Sequence, residues 1–442
     1  MRSESDSEGT RAWVMSRCLA WHLVLLCLAV LSACAQPREG QGATDIVNGR
    51  PVPELLERFD AWLRDNGARY DKVVARWSPA AGFHIQVTEA CSSGETIVHM
   101  PLRMMLGPKY VEASWLRTIL APLPVPEQVL VMLLWEDANK TSFFRPYLDM
   151  LPQGFDTPLF WTRAQAIELQ GSPLLESSIA LRHEMPGSYH FFKANVLDKH
   201  AALFPADGFS YERYLWAYSI VRSRSFGNYT LMPLIDLMNH HPLSRLAPTL
   251  MADGSGDRLL LRNALAPGDE VWGFYGFKSD RDLLASYGFT TAPAVNNPFS
   301  SIEIALEMDL DRPAVSALAG LKQVLLRSLG MAPSNQAFVV YKGALPPTLM
   351  TYLLMDAVVD GDGEGALRAA AQAALVEEGR QVAQRVLRST LLRLQQLLQR
   401  LLRRYPTTLV EVWPSRCVCA CCGWGSLPPF LQAGLGGVGF RV

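Results

Sequence analysis

Two stretches whose sequence is typical of short β-strands flank a stretch whose sequence is typical of helices. This order of segments constrains the fold more strongly than any other feature of the sequence. Residues 73–106 and 255–291 contain short alternating or apolar runs separated by turn residues, which is typical of β-structure. Residues 126–136 and 210–222 are apolar segments of helical length. The pattern predicts an α+β fold in which a β-rich domain carries a helical insertion at about residues 107–215.

The chain after about residue 297 predicts a second, all-helical domain. Its strongest signal is a leucine stripe at spacings of four and three residues, with arginines between the leucines. We interpret this stripe as the buried face of a bundle helix rather than as an RNA- or membrane-binding surface. The stripe consists of Leu387, Leu391, Leu394, Leu398 and Leu401.

Composition excludes several classes of protein. The 442 residues include 41 Lys and Arg against 42 Asp and Glu, a formal net charge of -1, which gives no global electrostatic reason to bind nucleic acid. Of the eight cysteines, only Cys91 lies away from the two ends, so no disulfide framework holds the body together. The segment CVCACCGWG near the C-terminus is too compressed for a zinc site, and we predict no metal.

The N-terminus predicts a targeting segment. Residues 18–35 are an apolar run that follows Arg11 and Arg17 and ends in Ala33-Cys34-Ala35, as in a secretory-type signal peptide. The alternative is a membrane anchor, but the run is barely long enough to span a bilayer. We therefore expect the leader to be removed and the mature protein to lack a membrane segment.

The predicted organisation of the chain is a leader at 1–35, a linker at 36–52, a β-rich domain at 53–296 with its insertion, a helical domain at 297–405 and an irregular Cys/Gly-rich tail at 406–442.

Three segments carry the residues that could perform chemistry. The apolar run 231–240 ends in Asp-x-x-Asn-His, residues 268–276 contain Gly-Asp-Glu and a Tyr-Gly pair, and residues 283–289 read LLASYGF. Taken alone, the first segment supports two interpretations equally: a capping turn, or a turn that presents amide and imidazole groups to a ligand. Each tyrosine alone is more often a core residue than a catalytic one.

In this order, the three segments resemble the SET-domain methyltransferases, and most of all the Rubisco large-subunit methyltransferase-like branch, which acts on non-histone proteins. Residues 142–161 and 216–226 are similar to further segments of that branch, and the resemblance covers about residues 53–405. It implies a SET domain at 53–296, with a pseudoknot at the active site, followed by a substrate-binding domain at 297–405.

The resemblance also implies an activity: a monomeric protein-lysine N-methyltransferase that uses S-adenosyl-L-methionine on a protein substrate and does not bind nucleic acid. Tyr275 matches the catalytic tyrosine. The matching cofactor-binding positions are Gly82, Phe83, Gln86, Arg224, Asp236, Leu237, Met238, Asn239, His240, Tyr287, Gly288 and Phe289.

The positions implied to contact the substrate favour lysine over histidine. The branch that methylates histidine in actin places an amide and a tryptophan where this chain has Phe226 and Ile235. An apolar ring suits the methylene stem of a lysine and offers an imidazole no hydrogen-bond partner. We expect Arg224 to lie between cofactor and substrate, and a histidine methyltransferase stays an alternative.

Two further interpretations stay open. His84 replaces the family's second glycine and Gln86 its usual arginine, which would fit a SET-like binding module without activity. The leader would fit a secreted structural protein, but that interpretation leaves the Asn-His and Tyr-Gly segments unexplained. The leader is also compatible with a two-step plastid route, whereas the branch usually works in cytosol, nucleus or plastid.

Overall fold

The computed structural model describes residues 46–252, 254–291, 297–341 and 345–372, together with 386, 390, 392–393, 395–396, 399–400 and 403. The predicted leader and the predicted tail lie outside these residues, and so do the five leucines of the predicted amphipathic helix. Within the described part, no helix is both long and apolar enough to cross a membrane.

Within the described residues, the strands pair in small antiparallel sheets. The β-strands are Ile46–Val47 (β1), Arg50–Pro51 (β2), Val73–Ser78 (β3), Gly82–Val87 (β4), Thr96–Pro101 (β5), Ser225–Phe226 (β6), Thr230–Leu231 (β7), Thr249–Ala252 (β8), Gly256–Leu260 (β9), Ser301–Leu306 (β10) and Gln336–Tyr341 (β11). Strands β1–β2, β3–β4, β6–β7 and β10–β11 form two-stranded sheets, and β5, β9 and β8 form a three-stranded sheet in that order.

The helices occupy the stretches between these sheets. The α-helices are Val52–Asp65 (α1), Pro108–Ala113 (α2), Arg117–Leu120 (α3), Val125–Ala138 (α4), Arg145–Leu148 (α5), Arg163–Ile167 (α6), Pro173–Phe192 (α7), Tyr211–Arg224 (α8), Asp280–Tyr287 (α9), Ala319–Ser328 (α10), Pro347–Ala357 (α11) and Gly363–Gln372 (α12). A π-helical turn, Lys193–Leu197, extends α7, and a 3₁₀ turn, Ile235–Leu237, precedes the Asn-His pair.

Helix α4 shows why the predicted insertion folds as it does. Six consecutive residues of this helix, from Val129 to Leu134, are buried, so the helix has no apolar stripe and is instead surrounded by protein. It packs against α8, which buries Trp216, Ile220 and Val221. The two helices predicted at 126–136 and 210–222 are thereby confirmed as the buried pair at the centre of the helical region.

Strand β4 brings the first predicted cofactor residues to the edge of this core. It pairs with β3 in a regular hairpin in which Ser78 is opposite Gly82, and Gly82 has a left-handed φ of 65° that suits glycine. Ile85 and Val87 point into the core, and Phe83 packs against the same cluster. The opposite face of the strand therefore carries His84 and Gln86.

The strand predicted at residues 271–276 does not form. The segment makes only isolated bridges, because its backbone groups bond two different partners in turn. The N–H of Val271 donates to Ile85 O (2.9 Å), whereas the N–H of Gly273 donates to Asn239 O (2.6 Å). A segment that changes its hydrogen-bond partner after two residues cannot extend a regular ladder with either partner. Residues 271–273 therefore lie between β4 and the Asn-His pair and bond to both.

The prediction of an all-helical domain after residue 297 is wrong in one respect. Strands β10 and β11 form a six-residue antiparallel ladder from Ser301↔Tyr341 to Leu306↔Gln336. In β11, Phe338 and Val340 are buried while Val339 and Tyr341 are exposed. This two-residue alternation is the signal of a half-buried strand. Helices α10, α11 and α12 pack around the hairpin in a second hydrophobic core.

A buried lysine caps one helix of this second core. Lys322 has no exposed surface, and its Nζ donates to Val358 O (2.7 Å) and Asp356 O (3.4 Å) at the C-terminal end of α11. The cation satisfies carbonyls that the helix leaves without partners. Burial, reinforced by the charges of Arg312 and Arg393, lowers the pKa of Lys322 to about 8.

We expect the stability of the protein to rise with pH between about 8 and 10.4 through Lys322. In that range the unfolded lysine keeps its proton while the folded one has lost it, so the unfolded state binds more protons. Urea unfolding of the wild type and of Lys322→Met at pH 7.5, 8.5 and 9.5 measures this, because the variant lacks the rise. Lys109→Met, at an exposed position of α2, is the control and keeps the wild-type profile. Identical profiles for the wild type and Lys322→Met would contradict the expectation.

Candidate active site

The bend at residues 235–241 is anchored by burial of the apolar run that precedes it. Leu231, Leu234 and Ile235 are completely buried, and Leu234 adopts a left-handed φ of 67°, which is costly for a residue with a side chain. The surrounding core stabilises this conformation. The 3₁₀ turn Ile235–Leu237 then turns the chain so that Asn239 and His240 follow directly.

Asn239 ties three separate segments of the chain together. Its Nδ2 donates to Ala81 O (3.1 Å), just before β4, and to Glu270 Oε1 (2.9 Å). Its backbone O accepts from the N–H of Gly273, and the N–H of His241 donates to Gly273 O (2.8 Å). A Cβ on Gly273 would lie 3.2 Å from Met238 Cβ, a tight contact that the neighbouring segment could accept only by moving a few tenths of an ångström.

Tyr275 reaches the same bend from the other segment. Its hydroxyl donates to Met238 O (2.7 Å), and its backbone N–H donates to His240 Nδ1 (3.2 Å). Its ring stacks on that of Tyr287, with centroids 4.7 Å apart. Burial raises the pKa of Tyr275 well above its ordinary value, so the phenol keeps its proton at neutral pH.

His240 is held as a neutral imidazole. Burial and the neighbouring His241 lower the pKa of His240 to about 4. Because Nδ1 accepts from Tyr275, Nε2 carries the proton, and within the described part of the chain this buried Nε2 has no hydrogen-bond partner. The rings of Tyr275, Phe274 and Phe289 surround it, with centroids 5.0, 6.1 and 6.4 Å away.

The segment Tyr287–Phe289 forms a further wall of the site. Tyr287 ends α9, and Gly288 caps this helix with a left-handed φ of 82°. A Cβ on Gly288 would lie 2.9 Å from the backbone of Asp156, so the insertion packs directly onto this turn. Phe289 then places its ring 6.1 Å from that of Tyr287.

Arg224 stands at the edge of the site and is held by Asp236. Arg224 Nη1 donates to Asp236 O (3.1 Å) and lies 3.6 Å from Asp236 Oδ2. The same Oδ2 accepts from the hydroxyl of Tyr147 (2.7 Å). Burial raises the pKa of Asp236, and the charge of Arg224 opposes that rise. Tyr147 and Glu270 were not predicted as site residues. Tyr147 lies 89 positions from Asp236, so no local signal in the sequence connects the two residues.

Two predicted assignments do not match the geometry. Ile235 has no exposed surface and lies in the core, so it cannot contact a substrate. The side chain of Asp236 is directed to Tyr147 and Arg224 inside the protein rather than to an open pocket, so it is not a direct cofactor ligand. The amide of Gln86 donates to Gly268 O (3.1 Å), and its role as a cofactor-binding residue stays a prediction.

The remaining predicted residues lie around the crossing in different ways. The side chains of Leu237 and Met238 are buried, and Met238 contributes its backbone carbonyl. Phe226 is half-buried in β6, two residues after Arg224. The arrangement brings together the neutral imidazole of His240, the phenols of Tyr275 and Tyr287, the guanidinium of Arg224 and further aromatic rings, which suits a ligand with both an apolar and a charged part.

Comparison with known proteins identifies related sequences. No family model matches the chain. The chain is 27% identical over 324 residues to the chloroplastic [fructose-bisphosphate aldolase]-lysine N-methyltransferase of Arabidopsis thaliana. The aligned region covers 70% of this chain and 65% of that protein. It is 26% identical over 319 residues to the chloroplastic Rubisco large-subunit N-methyltransferase of Pisum sativum, covering 69% and 64%. It is also 25% identical over 309 residues to the actin-histidine N-methyltransferase of Canis lupus familiaris, covering 65% and 50%.

The matches therefore span less than two thirds of the length of each of these relatives. Among solved structures, Rubisco LSMT bound to AdoMet is similar with a TM-score of 0.59 and 21% identity, covering 86% of this chain and 99% of that one. The SET domain of LSMT bound to lysine and AdoHcy gives a TM-score of 0.59 and 20% identity, covering 87% and 99%. In sequence the chain is therefore similar to these lysine and histidine N-methyltransferases, and in fold it is similar to the SET domain of LSMT.

Proposed function

We propose that the protein is an S-adenosylmethionine-dependent protein-lysine N-methyltransferase that acts on a non-histone protein. The observation that carries this proposal is the convergence of the Asn239–His240 bend with the Tyr275 hydroxyl, which donates to the carbonyl just before that bend. Relatives named for lysine methylation of aldolase and of Rubisco support it.

The residues of the site fit the chemistry of S-adenosylmethionine, which supplies an activated methyl group on a sulfonium when bound. Arg224 keeps 23% of its side chain exposed and has donors left for a carboxylate. The rings of Tyr275, Tyr287 and Phe289 offer faces to a cation. Within the described part of the chain, the buried Nε2–H of His240 has no hydrogen-bond acceptor. It could therefore donate to an acceptor atom of a bound ligand.

Tyr275 would orient the substrate amine and keep the site dry. A lysine must lose its proton before it can accept a methyl group, which costs about 4 kcal/mol at pH 7.4 for a pKa of about 10.4. The aromatic walls lower that cost, because removal from water depresses the pKa of an amine. The phenol and the carbonyl of Met238 lie 2.7 Å apart and offer oxygens that align the amine.

We also propose the finer architecture of the domain. The contacts of Asn239 with Ala81 and of His241 with Gly273 support a pseudoknot in which the bend passes beneath residues 268–276. The proposed boundaries are a SET domain at 53–296 with its insertion at about 107–215, and a substrate-binding domain at 297–405. That second domain contains the β10–β11 hairpin.

The activity itself is tested by incubating the purified protein with methyl-labelled S-adenosylmethionine and a lysate, followed by mass spectrometry of labelled peptides. A labelled lysine on a discrete protein supports the proposal. A labelled histidine would instead support the actin-histidine relatives. Absence of both label and cofactor binding would favour a SET-like binding module.

We expect Tyr275→Phe to lower kcat at saturating cofactor about a hundredfold or more, as removal of one oriented polar group at a reacting centre does. The variant keeps the ring that stacks on Tyr287, so cofactor affinity should change little. Tyr341→Phe, at an exposed position of β11, is the matched control and should keep full activity. Wild-type turnover by Tyr275→Phe would contradict the role of the hydroxyl.

The pH profile of kcat/KM for the peptide substrate should distinguish the two target residues. For lysine, log(kcat/KM) should rise by about one per pH unit from about pH 6.5 to 9, since the free amine has a pKa of about 10.4. For histidine, the profile would level off above about pH 6.5. The pKa of about 4 for His240 and the raised pKa of Tyr275 keep both groups in one protonation state over this range. A plateau from pH 7 upward would therefore contradict the lysine proposal.

A further inference from the structure

A buried hydrogen bond links the helical insertion to the edge of the candidate active site. Tyr147 lies in the short helix α5 of the insertion and is almost completely buried. Its hydroxyl donates to Asp236 Oδ2 over 2.7 Å, and the side chain of Asp236 has no exposed surface. Burial raises the pKa of Tyr147 well above its ordinary value, so the phenol remains a donor.

The carboxylate of Asp236 is stabilised by few groups. Its Oδ1 has no hydrogen-bond partner in the described part of the chain, and its Oδ2 receives the Tyr147 hydroxyl and faces Arg224 at 3.6 Å. A buried carboxylate without partners is strongly unfavourable, so each of these two interactions matters. Loss of the Tyr147 hydroxyl would leave this carboxylate with Arg224 and a backbone hydrogen bond of Asp236 itself as its stabilising partners among the described residues.

Asp236 in turn fixes the guanidinium of Arg224. Arg224 is the last residue of α8, and its long side chain would otherwise sample several rotamers. The donation from Nη1 to Asp236 O and the attraction to Oδ2 select one of them. The guanidinium has further donors besides Nη1, and 23% of the side chain stays exposed, so these donors are available to a ligand.

We propose that Tyr147 is a positioning residue that acts through Asp236 to hold Arg224 in the orientation that binds the cofactor. This inference rests on the proposed function, because Arg224 is assigned to the cofactor only there. It gives the insertion a part in cofactor binding, although Tyr147 touches neither cofactor nor substrate. It also gives Asp236 a role different from the predicted one of direct cofactor ligand.

The test compares two tyrosines of the insertion that each donate to a carboxylate. Tyr147→Phe keeps the buried ring and removes only the hydroxyl. Tyr110→Phe removes a hydroxyl that donates to Glu136 (2.7 Å), within the insertion. The full-length wild type and both variants are titrated with S-adenosylhomocysteine by calorimetry, and their thermal unfolding is recorded.

We expect Tyr147→Phe to bind S-adenosylhomocysteine about tenfold more weakly, the change that loss of one hydrogen bond to a charged group produces when it is transmitted to the ligand. Its KM for S-adenosylmethionine should rise by the same factor, while its KM for the protein substrate and its kcat at saturating cofactor stay near the wild-type values. Tyr110→Phe should show a similar loss of thermal stability with unchanged affinity.

The possible outcomes separate the inference from the proposed function. Wild-type affinity in Tyr147→Phe would overturn the inference and leave the proposed function intact. Equal weakening in both variants would also overturn it, because a general loosening of the insertion would then explain the effect. If the wild type itself binds no S-adenosylhomocysteine, both the proposed function and the inference fail.

Discussion

The close crossing of two backbone segments at Gly273 and Asn239 is the constraint on which the candidate site depends. Gly273 N–H donates to Asn239 O, and His241 N–H donates to Gly273 O, so that a Cβ added at Gly273 would come within 3.2 Å of Met238 Cβ. Once the segments cross there, the residues on either side have few choices. Tyr275 is two residues further on, so its hydroxyl meets the carbonyl of Met238 and its backbone meets the imidazole of His240.

Burial of polar groups accounts for much of the electrostatics of the molecule. Asp236 and Lys322 are both removed from water and both have pKa values shifted towards the neutral form. Each is retained with partners that compensate for the lost hydration: Arg224 and Tyr147 for the carboxylate, and the carbonyls of Val358 and Asp356 for the ammonium. In the first case the compensation also orients a cation at the site.

The sequence allowed the main chemical groups of the site to be predicted, because Asn239, His240 and Tyr275 lie in segments with a recognisable order. It did not allow the direction of each side chain in the bend to be predicted. Neighbouring residues of the 3₁₀ turn point to different sides, so Ile235 enters the core and Asp236 turns to Tyr147, and neither direction follows from the order of residues. Tyr147 lies 89 positions from its partner, and such a distant pair has no local signal.

The secondary structure was also predicted correctly in some segments and incorrectly in others. Helices α4 and α8 have long apolar runs and were predicted close to their observed bounds. Strands β10 and β11 have the two-residue alternation of half-buried strands. They were not predicted, because the surrounding sequence is typical of helices and the whole region was assigned to a helical domain. Residues 271–276 have strand-like composition, yet the crossing with the bend prevents a regular ladder.

Cofactor titration of a Gly273→Val variant measures most directly whether the crossing creates a binding site. We predict that the wild type binds one S-adenosylhomocysteine per chain and that Gly273→Val loses this binding while it stays folded, because the added side chain separates the bend from Tyr275. Gly320→Val, at an open position of α10, should bind normally. Undiminished binding by folded Gly273→Val would contradict the account.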